Sequence, residues 1–244
     1  MIAPTCRNEP KIKWLVDNCK YGEIELHTEF THEKFDELRY KIDKRIEEYK
    51  KYERDLMMWK NFRHYKGKWE DFSDDDLLRL HDLNYEKPTS EYKQMPTHLI
   101  VFDDMQDNPT LFGRGKKAAA INNFSILHRH KCCSIIWSCQ NFSAQYGVPK
   151  SIRNNISLMC LWRNKSPMIQ KEIAQQCSGS VEPEELIEYW NHATKDSRHD
   201  FLYIDYEAEP PYNIRKNFNT LLTLEPVNDV EIANGNSKKS ANII

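Results

Sequence analysis

Leu99-Ile100-Val101-Phe102-Asp103-Asp104 decides the reading of this chain. Four apolar residues in a row predict a buried strand, and two carboxylates follow at its C-terminal end. In an open α/β sheet, ligands bind outside the carboxyl ends of the strands. A hard cation such as magnesium takes a few carboxylate oxygens together with waters and phosphate oxygens. Asp103 would hold such an ion through water, and Asp104 would orient or deprotonate an attacking water. The plainer alternative is a buried strand that ends in a solvated turn.

Working outward, strands and helices alternate. Met1 to Thr5 looks like the end of a strand entering a turn, and Pro10 to Cys19 has helical spacing. Ile24-Glu25-Leu26-His27 reads as a short strand. From His32 to Phe62 a charge-dense stretch carries Phe35, Leu38, Ile42, Ile46, Tyr49, Leu56 and Trp59 at helical period, which predicts a docked amphipathic helix. Ser73 caps a second helix to about Leu83, with Asp74, Asp75 and Asp76 in its first turn. Tyr85 to Thr97 is a connector. Past the Asp103-Asp104 strand, Gln106 to Gly115 reads as a loop and Lys116 to His130 as a helix. Ser134 to Cys139 and Ile156 to Trp162 are further strands. Ser166-Pro167 opens a helix that runs to about Cys177 and stops at Gly179. Another runs from Pro183 to about Ala193. Asp200 to Tyr206 is a late strand, and Tyr212 to Phe218 its hairpin partner. From Glu225 the composition turns polar, so residues 223–244 are expected to be a disordered tail.

The 244 residues suffice for one α/β domain or two small ones. Net charge is −2, so nucleic-acid contact would need a local basic patch. Seven cysteines without a C-x-x-C pair fit reduced intracellular thiols better than a secreted disulfide framework. No apolar run is long enough to cross a membrane. The expectation is a soluble intracellular protein.

Other residues join the two aspartates. Gln140 ends the next strand, where an amide can donate to a phosphate oxygen and accept from a water. Arg153, in the loop Ser151-Ile152-Arg153-Asn154-Asn155, would act as an arginine finger if set near a neighbour's nucleotide, and Arg163 competes for that role; the plainer alternative is a solvent-facing arginine. Gly113-Arg114-Gly115-Lys116-Lys117 has the wrong spacing for a phosphate-binding loop. Arg114, Lys116 and Lys117 would instead touch a nucleic-acid backbone, with Arg129 and Lys131 nearby, or simply begin a solvated helix. The run His128-Arg129-His130-Lys131-Cys132-Cys133 suits zinc poorly, because a strand would point the two thiols to opposite faces. The loop G-x-x-x-x-G-K-[ST] appears nowhere.

The order of these elements resembles the poxvirus-type genome-packaging ATPases of large eukaryotic DNA viruses, within the FtsK–HerA class of P-loop NTPases. The resemblance rests on Thr97 to Met105, the basic helix after it, Ile135 to Gln140, Val148 to Asn155, and Phe201 to Tyr206 before Tyr212 to Phe218. It spans residues 1–222, with 32–83 as a helical insertion. It implies a mostly parallel sheet flanked by helices, with a C-terminal β-hairpin. It also implies ATP and magnesium as cofactors, a homo-oligomeric ring, double-stranded DNA as cargo, and capsid or portal partners in a viral factory or virion. Asp103 matches the magnesium aspartate, Asp104 the catalytic acid, Gln140 the polar sensor and, less closely, Arg153 an arginine finger.

One departure is large. In that class the first strand and its phosphate loop precede the strand that here begins near Ile2. The sheet order 5-1-4-3-2 makes the missing strand an interior one, leaving a gap of about 9–10 Å. Each buried orphan backbone group costs about 1–3 kcal/mol, against a domain stability of about 5–15 kcal/mol. Three accounts stay open: a loop carried upstream, a decayed or split gene, or a sheet closed up by another strand. The cost favours the first two. The functional expectation is a packaging-motor ATPase core, weak or inactive in hydrolysis as it stands. The alternative is a non-catalytic DNA-binding or ring-assembly subunit.

Overall fold

Alternating burial along Leu99–Phe102 is where the fold begins. A computed structural model describes residues 1–2, 9–19, 23–64, 71–105, 108, 116–140, 142, 148–179, 181–224 and 241–243. The chain divides into two compact units, Met1–Asn141 and Phe142–Ile244.

In the first unit, β1 (His98–Asp103) and β2 (Cys133–Ser138) pair in parallel, with Asp103 opposite Ser138. Among the described residues the helix α4 (Lys116–Leu127) lies between them, and a helical crossover is the usual way to return a chain to start a parallel strand. Ile2 adds another parallel line on the far side of β1, its amide donating to the Val101 carbonyl at 2.8 Å. His27 bridges Ile2 in turn. The short strands expected around Ile2 and His27 are therefore reduced to bridges among the described residues.

Ile100, Phe102 and Cys133 point to one face, where Phe35, Ile42 and Ile46 of α2 (His32–His64) and Ile121 and Phe124 of α4 meet them. Phe30 stands edge-on to Phe102 and to Phe35, and Phe102 stacks on Trp137 at 4.4 Å. The predicted stripe of α2 is thus the docking face in its first half. Further along, Asp55 is buried beside Arg79 of α3 (Asp74–Asp82) at 3.9 Å. The Ser73 hydroxyl accepts the Asp76 amide, the cap expected for α3. The unit also contains a short helix, α1 (Pro10–Asp17), and a 3₁₀ turn (His128–Lys131) follows α4. The opposite face of the β1–β2 pair leaves Leu99 and Ile136 exposed.

The second unit begins with a single helical turn, α5 (Lys150–Arg153). It then forms a five-stranded antiparallel sheet in chain order. Its strands are β3 (Leu158–Trp162), β4 (Phe201–Asp205), β5 (Ile214–Lys216), β6 (Thr220–Leu224) and β7 (Ala241–Ile243). Met159, Leu161, Leu202, Ile204, Ile214 and Leu222 face inward onto α6 (Pro167–Cys177) and α7 (Pro183–Ala193). Trp190 of α7 is buried, and its indole N–H donates to the Trp162 carbonyl at 2.9 Å. Gly179 follows α6 with φ +65, and a Cβ there would come within 3.2 Å of the Tyr206 ring, so a side chain would be both strained and crowded.

The chain is mixed α/β, but the mostly parallel sheet expected from the sequence is corrected. The parallel part is a two-stranded pair, and the larger sheet is antiparallel. The reason lies in the helix count. Two helices, α6 and α7, separate β3 from β4, so the chain reverses once more than a single crossover allows, and β4 comes back antiparallel. The expected hairpin of Asp200–Tyr206 with Tyr212–Phe218 is present as the antiparallel pair β4–β5, and β5 pairs on its other side with β6, a strand the sequence reading did not include. The expected disordered tail is corrected at both its ends. β6 extends to Leu224, and Ala241–Ile243 pairs with it as β7, because β6 offers an unpaired ladder edge. Residues 225–240 lie outside the described set.

Candidate functional site

The apolar strand β1 delivers its acids to the C-terminal end of the parallel pair. The Asp103 amide donates to the Ile2 carbonyl at 3.0 Å, so its backbone is fixed from the neighbouring line. Asp104 then leaves the strand at φ 51, a left-handed conformation that aspartate tolerates better than most residues. Its amide reaches the Ser138 carbonyl at 3.3 Å, tying the turn to the end of β2. Gln140, two residues beyond β2, donates from its side-chain amide to an Asp104 carboxylate oxygen at 3.3 Å. Asp104 and Gln140 are exposed, and Asp103 is half-buried.

The structure therefore brings Asp103, Asp104 and Gln140 to one rim, as the sequence reading required. Ser138 was not singled out by that reading. It faces Asp103 across the register and offers both a hydroxyl and the carbonyl that holds Asp104. A hydroxyl two residues before Gln140, at a strand's last position, was the available signal.

The donors at this rim are two carboxylates, an amide and a hydroxyl, all hard or neutral oxygen chemistry. Among the described residues no group of three or more His, Cys, Asp or Glu side chains converges as a metal site. The set suits a hydrated magnesium that brings its own phosphate and water ligands, rather than an ion held by protein alone.

The other candidates fare differently. Arg153 belongs to the second unit, where a guanidinium N–H donates to the Phe142 carbonyl at 3.1 Å and the group lies over the Phe142 ring. Arg163 is engaged too. Its Nε donates to the Thr194 carbonyl at 2.8 Å, and a second nitrogen reaches the Thr194 and Lys195 carbonyls. It binds the carbonyls of the two residues that follow α7. Lys131 forms an ion pair with Asp43 of α2 at 2.8 Å. Arg114 lies outside the described residues, and Lys116 and Lys117 open α4. Burial pushes the Cys133 thiol up to about 11, which keeps it protonated and a poor nucleophile or ligand. Among the described residues no helix is long and apolar enough to cross a membrane.

Compared with known proteins, the chain matches no family model, no curated protein and no solved structure.

Proposed function

We propose that this chain is the nucleotide-site core of a viral DNA-packaging motor of the poxvirus-type, FtsK–HerA kind, lacking the phosphate loop in its sequence. The observation that carries the reading is the meeting of Asp103, Asp104 and Gln140 at the C-terminal rim of parallel strands. Two further features support it. The parallel lines of β2, β1 and Ile2 run side by side in the neighbour order of that class. The outer edge of β2 has no strand partner among the described residues, where that class carries its loop-bearing strand.

Magnesium–ATP, when bound, supplies the transferable phosphoryl group and the charge that neutralises it. Asp103 would hold the ion's waters. Asp104 would be the carboxylate able to accept a proton from a water beside the phosphate, and the Gln140 amide N–H holds that carboxylate in place. Nothing in the sequence cradles the β- and γ-phosphates, so no hydrolytic step follows from these residues alone. The purified chain is expected to turn over ATP no faster than a protein-free blank. Turnover that disappears in Asp103→Ala would overturn this part of the reading.

The site itself is tested by NMR amide shifts. Magnesium and ATP added together are expected to move Asp103, Asp104, Ser138 and Gln140, weakly and only as a pair, with loss of the response in Asp103→Asn. Shifts confined to other regions, or none, count against the motor. A salt-dependent DNA shift that needs no nucleotide favours the alternative, a non-catalytic DNA-binding or ring-assembly subunit. The ring, capsid partners and double-stranded DNA cargo belong to the proposal.

A further inference from the structure

The strand β3 reads Leu158-Met159-Cys160-Leu161-Trp162, five uncharged residues at the edge of the antiparallel sheet. Natural edge strands are blunted by lysine, proline, a bulge or a covering element. β3 has no proline or charge, and its register with β4 is continuous.

The direction of its backbone groups follows from the ladder. The Tyr206 amide donates to the Ser157 carbonyl, which makes those two a hydrogen-bonded pair. Alternation then turns the backbone groups of Met159 and Leu161 toward β4, and those of Leu158, Cys160 and Trp162 toward the open edge. No backbone partner meets the Leu158 and Cys160 groups among the described residues. The Trp162 carbonyl accepts from Trp190 and keeps a second lone pair.

The side chains of the same three residues share the face away from the helices. Leu158 and Trp162 are each 53% exposed, one at either end of β3, with Cys160 midway. A twofold axis through Cys160 would run two β3 strands antiparallel. Leu158 would then lie opposite Trp162 of the second copy, and Cys160 opposite Cys160 of the second copy. Each such pair would exchange both backbone bonds, and the two exposed apolar ends would cover one another. Continuing the same register sets Ser157 against Arg163 and Asn155 against Lys165, so no like charges meet.

We propose that the occupant of this edge is a second copy of the chain, joined through β3 into a continuous antiparallel sheet across a twofold axis. The operation closes on itself, so the product is a dimer rather than a filament. A single short edge is a small interface, and the association is expected to be in the micromolar range. The proposal is independent of the nucleotide-site reading, since it involves only the second unit.

Light scattering on the 244-residue chain, from micromolar to hundreds of micromolar, is the test. The mass is expected to rise toward twice 29.1 kDa. Cys160→Lys places two ammonium groups face to face at the axis without entering the core, and should weaken association at least tenfold with an unchanged circular dichroism spectrum. A short bis-maleimide should link the native dimer, and the link should vanish in Cys160→Ser while the dimer persists. A chain that stays monomeric throughout, including one whose edge takes a strand of other origin, overturns the proposal. So does a dimer whose affinity Cys160→Lys leaves unchanged.

Discussion

Asp104 shows how one residue serves both a turn and a site. Its φ of 51 costs most side chains about 1–2 kcal/mol, and glycine nothing. Asp104→Gly is therefore expected to keep or slightly raise stability in urea unfolding, while Asp104→Val lowers it by about 1–2 kcal/mol. The glycine variant removes the carboxylate without harming the turn, and is the cleaner probe of the rim. His98, at the start of β1, behaves as a half-buried base. Desolvation, with the nearby Arg45 charge, holds its pKa below the ordinary value, against a backbone hydrogen bond with Cys132 that raises it. The unfolded chain then takes up that proton more readily than the folded one. The stability His98 contributes is present above about pH 6.5 and is lost as pH falls toward its folded pKa. Thermal melts between pH 7 and pH 5 should show that slope, and His98→Gln should flatten it.

At the scale of elements, what a helix or strand buries decides its worth. The amphipathic stripe of α2 was legible because Phe35, Leu38, Ile42 and Ile46 recur at helical period, and three of the four are buried. Phe35 is 0% exposed and stands edge-on to Phe30 and Phe124. Phe35→Ala is expected to cost about 3–5 kcal/mol in chemical denaturation, the loss typical of a buried aromatic truncation. The caps at Ser73 and Ser166 and the stop at Gly179 were equally readable, since each depends on bonds within a few residues. The direction of β3 relative to β4 was not. The two intervening helices are recognisable individually, but the family pattern masks the reversal they impose together.

Across the whole molecule, two cores form around separate sheets. One gathers on α2, α4 and the parallel pair, the other on α6, α7 and the antiparallel sheet. Partition of this kind predicts that damage stays local. In Phe35→Ala, hydrogen exchange should quicken at the amides of β1 and β2 while β4 keeps its protection. Equal loss in both sheets would mean that the cores unfold as one. The long apolar runs and helical periods gave no hint of this division, because a strand's own residues do not encode which sheet it joins.

Composition, periodicity and the Leu99–Asp104 stretch carried a mixed α/β chain, most helix limits, and Asp103, Asp104 and Gln140 as residues at strand ends. Those features are local, set by rotamers, caps and alternation over a few residues, whereas the contact of Gln140 with Asp104, 36 residues apart, rests on the pairing of β1 with β2. Only the tertiary structure decided that β3 turns antiparallel, that residues 241–243 add a strand, and that Arg163 and Lys131 serve internal bonds. These depend on which carbonyl or carboxylate arrives from tens of residues away, and long-range packing alone delivers that partner.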